Sequence, residues 1–88
     1  MGIFRDSPIY LLLLMEEFIK KFAAQFEDTP ASVFTADTRF RELDEWSSLL
    51  GLMTIAMAFE EYGAQLKAND IQTSDTIADL YNAIQAKL

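Results

Sequence analysis

Cysteine and histidine are both absent from this 88-residue chain. Without cysteine there is no disulfide framework, no thiolate zinc site and no thiol nucleophile. Without histidine the usual general base and the commonest neutral metal ligand are missing. Chemistry of the chain's own would have to run on carboxylates, hydroxyls and amines, so a role other than enzyme is expected. Cations are scarce too: 7 Lys and Arg stand against 14 Asp and Glu, for a formal charge of -7. No basic residue lies between Arg41 and Lys67, where Glu42, Asp44, Glu45, Glu60 and Glu61 all stand. Phosphate backbones require clustered cations, so nucleic acid is not an expected partner. The anionic middle third is either a solvated face or a surface that steers toward basic proteins.

A long apolar run is missing as well. Ile9-Tyr-Leu-Leu-Leu-Leu-Met15 is broken at once by Glu16 and Glu17, far short of the roughly 20 residues that span a bilayer. Only Arg5 precedes it and no small-residue cleavage site follows closely, so neither a membrane span nor a signal peptide is expected and the chain is assigned to the cytoplasm. No strand-like alternation or hairpin turn occurs anywhere. The apolar content of 51% is that of a globular chain, and the length suits one small domain over residues 1–88, expected to be a monomer.

What is present is helical. Ser7-Pro8 reads as a cap followed by proline at the first helical position. Leu11, Leu14/Met15, Phe18, Phe22 and Gln25/Phe26 then recur at helical spacing as a core stripe. Glu16/Lys20 and Glu17/Lys21 form i,i+4 pairs on the opposite face, and Asp28-Thr29-Pro30 ends the helix. Residues 31 to 46 hold no sustained period and read as a long loop pinned by Phe40 and Leu43. Ser47 and Ser48 open a second helix through Ala58, Phe59 and Tyr62, with Gly63 as its C-cap. One helical turn fits near Asn69 to Ile71. Thr73-Ser74-Asp75 is expected to cap a last helix that buries Ile77, Leu80/Tyr81, Ile84 and Leu88. The expectation is an all-α, small four-helix bundle: three main helices, one short helix, and a long loop between the first and second.

The two serines carry the functional question. Both sit where backbone N–H groups are unpaired and the helix dipole is positive, a ready site for a phosphate group. Neither G-x-S-x-G nor S-x-x-K surrounds them, and no base is available to activate a nucleophile. A serine with a chemical role here is therefore acted upon by another enzyme. The plainer alternative is that Ser47 is the N-cap and Ser48 is incidental. The second helix has no charge from Leu49 to Phe59, so Leu49, Met53 and Leu52 are candidates for an exposed docking strip, with Met53 and Met57 as core filler on the other reading. Gly51 costs a helix about 1 kcal/mol relative to alanine, which suggests close packing or close approach of a partner.

Taken in order, Thr38, Phe40, Leu43, Trp46-Ser47-Ser48-Leu49, Phe59-Glu60-Glu61-Tyr62-Gly63 and Thr76-Ile77-Ala78-Asp79-Leu80 resemble the acyl carrier protein family and its peptidyl carrier relatives. The resemblance runs over roughly residues 8 to 86. It implies a non-catalytic shuttle that carries acyl intermediates as thioesters on a 4′-phosphopantetheine arm derived from coenzyme A, in fatty-acid, polyketide-like or related biosynthesis. Aligning Trp46, Leu49 and Gly63 without a gap puts Ser48 at the attachment position, flanked by Trp46, Ser47 and Leu49. Ser47 then stands where the family usually has aspartate, so a carboxylate beside the attachment point is lost. The implied partners are a phosphopantetheinyl transferase and acyl-loading and acyl-processing enzymes with basic docking patches. Asp44, Glu45, Met53, Glu60 and Glu61 would meet them. Ala56 and Ala58 would leave space between helices for a tethered chain. The alternative reading is an unmodified helical module that binds proteins through its apolar second helix.

Overall fold

A computed structural model describes residues 8–88; Ser7, the expected cap of the first helix, lies outside the described residues. Four helices follow one another: α1 (Pro8–Ala23), α2 (Ser48–Tyr62), α3 (Ala68–Gln72) and α4 (Ile77–Gln85), with single 3₁₀ turns at Ala31–Val33 and Phe40–Glu42 in the loop between α1 and α2. No strand occurs among the described residues. The fold is all-α: three main helices, one short one and a long first loop.

The core grows from the phenylalanine stripe. Phe18 and Phe22 are fully buried and Phe26 nearly so, because positions four apart lie on one face of a helix. The loop adds Phe34 and Phe40, α2 adds Leu50, Met57 and Ala58, and α4 adds Ile77, Leu80, Tyr81 and Ile84. Phe22 is central. Its ring centroid lies 6.1 Å from Phe18, 5.2 Å from Phe26, 6.2 Å from Phe34, 5.7 Å from Phe40 and 6.4 Å from Trp46.

Two ends of the apolar pattern behave otherwise than expected. Leu11 and Leu88 are exposed, because the first turns of α1 and the last residue of the chain extend past the elements that could cover them. The core stripe begins at Leu14 and Met15, both half-buried. α1 also stops at Ala23, before Asp28-Thr29-Pro30. Tightened turns, Gln25 N–H to Phe22 O at 3.1 Å and Phe26 N–H to Ala23 O at 3.0 Å, carry the chain on to Phe26. Gln25 donates from Nε2 to Met53 O at 2.9 Å instead of joining the apolar stripe. Neither i,i+4 pair expected on α1 forms an ion pair among the described residues; Lys21 instead reaches across to Glu61 at 3.2 Å, over the ring of Tyr62.

The last helix is capped by Thr76, one residue beyond the expected Thr73-Ser74-Asp75. Thr76 Oγ1 accepts from Asp79 N–H at 3.2 Å while Asp79 Oδ2 accepts from Thr76 N–H at 3.0 Å, a reciprocal box. Thr73 and Ser74 turn back instead, donating to Asn69 O and Asp70 O at the end of α3. The remaining orphan donors of α4 are met by the long loop, with Ile77 N–H on Thr38 O (3.1 Å) and Ala78 N–H on Ala36 O (2.9 Å). Arg41 ties the same loop to the helix entry through Ser74 O and Asp75 Oδ1.

Candidate functional site

α2 begins where an acidic turn meets a charge-free helix. Ser47 has extended backbone, φ -152° and ψ 171°, and its Oγ accepts from Leu50 N–H at 3.4 Å. Its carbonyl accepts from Gly51 N–H at 3.1 Å. Ser47 is thus the N-cap, as its position suggested, and Ser48 is the first helical residue. Both serines are exposed. Among the described residues no hydrogen bond engages Ser48 Oγ, and the N–H groups of Ser48 and Leu49 have no partner. An exposed hydroxyl therefore stands beside free donors at the positive end of a 15-residue helix. That donor set suits a phosphodiester on Ser48 Oγ. Among the described residues no cluster of three or more acidic side chains could hold a metal ion.

Trp46 fixes the approach to this point. Its ring lies 5.0 Å from Phe40 and 6.4 Å from both Phe22 and Phe26, and its backbone N–H donates to Leu43 O at 3.0 Å. Its benzenoid edge also lies over Gly51, where a Cβ would sit 3.6 Å from Cζ2, an ordinary contact. Gly51 is therefore not required by packing.

Glu45 has a different place from the one expected. Its carboxylate accepts N–H bonds from Glu27 (2.7 Å), Asp28 (3.1 Å) and Thr29 (2.9 Å), together with the Thr29 hydroxyl (2.7 Å). The Thr29 hydroxyl, supported by the three backbone donors, holds its carboxyl below the usual glutamate range against an opposing push from burial. Glu45 is thus a clamp between the end of α1 and the residues before Ser48. Nothing in the local sequence signals this, because the partners lie 16 to 18 residues apart.

The other candidates divide. Asp44 and Glu60 are exposed and form no ion pair among the described residues. Glu61 is committed to Lys21, whose ammonium it holds above its ordinary range. Leu49, Leu52 and Met53 are exposed at 66%, 64% and 37%, and Phe59 joins them at 57%. Met57 is core. Ala58 is fully buried and Ala56 is exposed, so the two alanines do not flank a shared internal space. An apolar groove of about 750 Å³ lies elsewhere, between α1 and the loop, lined in part by Met15, Ile19, Ala23, Phe26 and Phe34. No helix among the described residues is long and apolar enough to cross a membrane.

Comparison with protein-family models, with curated proteins and with solved structures finds no match to this chain.

Proposed function

We propose that the chain is an acyl carrier protein: a non-catalytic shuttle whose Ser48 hydroxyl bears a 4′-phosphopantetheine arm. The observation that carries this reading is the exposed, uncommitted Ser48 Oγ at the N-terminus of α2, set apart from a neighbouring serine that already does the capping. The all-α order with a long first loop supports it, as does the Trp46-Ser47-Ser48-Leu49 sequence. On attachment, Ser48 Oγ forms a bond to the pantetheine-side phosphorus of coenzyme A. The pyrophosphate link to adenosine 3′,5′-bisphosphate breaks, and the hydroxyl proton leaves to the modifying transferase. The arm supplies the thiol that this cysteine-free chain lacks. The free N–H groups of Ser48 and Leu49 favour the phosphodiester charge, while Trp46 and Glu45 hold the segment that presents it.

The test is intact mass after incubation with coenzyme A, magnesium and a broad-specificity phosphopantetheinyl transferase. Wild type gains the mass of one arm and Ser48→Ala gains none. A wild type that stays at its apo mass overturns the reading, and an arm on Ser48→Ala moves the site to Ser47. The exposed apolar face of α2 favours a second reading, an unmodified interaction module, for which Ser48→Ala is without effect.

A further inference from the structure

α1 carries no charge from Pro8 to Met15, and Ile9, Leu11, Leu12 and Leu13 all stand exposed on its first turns. A helix apolar on every side is ordinarily covered. Further along, Leu12, Met15, Glu16, Ile19, Lys20 and Ala23 stand at i, i+3, i+4, i+7, i+8 and i+11, one face of the helix. All six line the groove of about 750 Å³ between α1 and the long loop. Among the described residues no part of α2 lines it, so this face is separate from Ser48.

The face is graded in size and in charge. One end is bulky, with Leu12 and Met15; the other is small, with Ala23 and Ala24 on α1 and Ala31 and Ala36 on the loop. Between the ends stand one anion and one cation, Glu16 and Lys20, both exposed. Neither forms an ion pair among the described residues, whereas Lys21 beside them is committed to Glu61. Ala24 still follows the helical path, its N–H donating to Lys20 O at 3.0 Å. Leu12 and Ala24 are centred on the level of Phe18, and so are Glu16 and Lys20; Phe18 itself is buried in the core. A two-fold axis at that level therefore brings Leu12 of one copy to Ala24 of another, and Glu16 to Lys20. Each contact is made twice, large side chain against small and carboxylate against ammonium.

We propose that a second copy of this chain covers the groove, α1 of each lying antiparallel along α1 of the other, with the leucine end of each seated at the alanine end of its partner. A lipid surface would leave the Glu16 carboxylate in an apolar layer with nothing to neutralise it, whereas the second copy supplies Lys20. The exposed apolar area on each copy is on the order of 500 Å², in the upper range for a patch on a monomer. That is below the ~800 Å² per partner of a standard stable interface, and two chains of charge -7 repel at long range. The dimer is therefore weak, with a Kd of about 10–100 µM.

The experiment is sedimentation equilibrium of the full chain from about 10 to about 500 µM, with thermal melts of each variant to establish that it folds. Wild type passes from monomer to dimer across this range. Leu12→Ser raises Kd about tenfold. Glu16→Lys and Lys20→Glu each set two like-charge pairs across the axis and raise Kd by a similar factor. Combining the two swaps restores opposite charges and returns Kd to within about threefold of wild type. A wild type that stays monomeric throughout, the state expected from chain length, overturns the inference. A double swap no tighter than either single swap overturns it too, because antiparallel pairing through Glu16 and Lys20 requires the rescue. Monomers that bind neutral phosphatidylcholine vesicles assign the face to a lipid surface instead. None of these outcomes depends on whether Ser48 takes an arm, so the carrier reading stands or falls separately.

Discussion

The Thr29 hydroxyl stands 2.7 Å from Glu45 Oε1, joining the exit of α1 to the residue three before Ser48. This bond and the three N–H groups beside it favour the ionised carboxylate. Asp79 and Asp70 are held low in the same way, each mainly by backbone N–H groups at the start of its helix.

The sign of the resulting pH dependence follows. These groups have ordinary values of 4.5 for Glu45 and 3.8 for Asp70 and Asp79, and all three are lowered in the folded chain. The unfolded chain therefore takes up protons first. Their contribution is complete above the ordinary values and is lost as pH falls below them. Urea midpoints measured from about pH 6 down to about pH 3 should decline, and Glu45→Gln should show a shallower decline than wild type. An identical slope for Glu45→Gln would remove the clamp as a source of acid sensitivity.

Phe22→Ala should be the most damaging single truncation in the core. The ring is fully buried and stands among Phe18, Phe26, Phe34, Phe40 and Trp46, so its removal leaves a cavity that neighbouring rings cannot close without moving. The expected loss is about 3–5 kcal/mol, a large share of the roughly 5–15 kcal/mol available to a small domain. Denaturant unfolding followed by Trp46 fluorescence reads both the loss and the loosening around the site.

Gly51 within α2 and Gly63 at its C-cap should respond in opposite directions. Gly63 has φ +71°, and its N–H closes the helix on Ala58 O and Phe59 O, so Gly63→Ala should destabilise by about 1–2 kcal/mol from backbone strain alone. Gly51 is interior to the helix, and a methyl there meets Trp46 at an ordinary distance. Gly51→Ala should stabilise by about 1 kcal/mol, a rise of about 4–8 °C in Tm. Melting curves of the two variants decide both. A Gly51→Ala protein that melts lower would show that Trp46 cannot accommodate the methyl.

Local signals in the chain were enough for the helices and for the seam at Ser47. The Phe18, Phe22, Phe26 spacing, the serine pair before an apolar run, and Gly63 after Tyr62 each act within a few residues, where helix geometry leaves little choice. What escaped the sequence was settled at longer range. Thr73, Ser74 and Thr76 all offer hydroxyls, and only the carboxylate of Asp79 three residues on selects Thr76. Glu45 looked like surface charge because its donors come from a turn 16 to 18 residues earlier. Leu11 and Leu88 fit the helical period, but periodicity does not say where the neighbouring helices end.

Two carbonyls of the long loop, Thr38 O and Ala36 O, accept from the first two amides of α4. A loop of this length would ordinarily breathe on its own, independently of the helices it connects. Here it cannot lift away without stripping the start of α4 of its acceptors and pulling Arg41 from Ser74 and Asp75. Opening of the loop and fraying of the last helix are consequently one event, and the amides of Ile77 and Ala78 exchange with solvent at the rate of the loop.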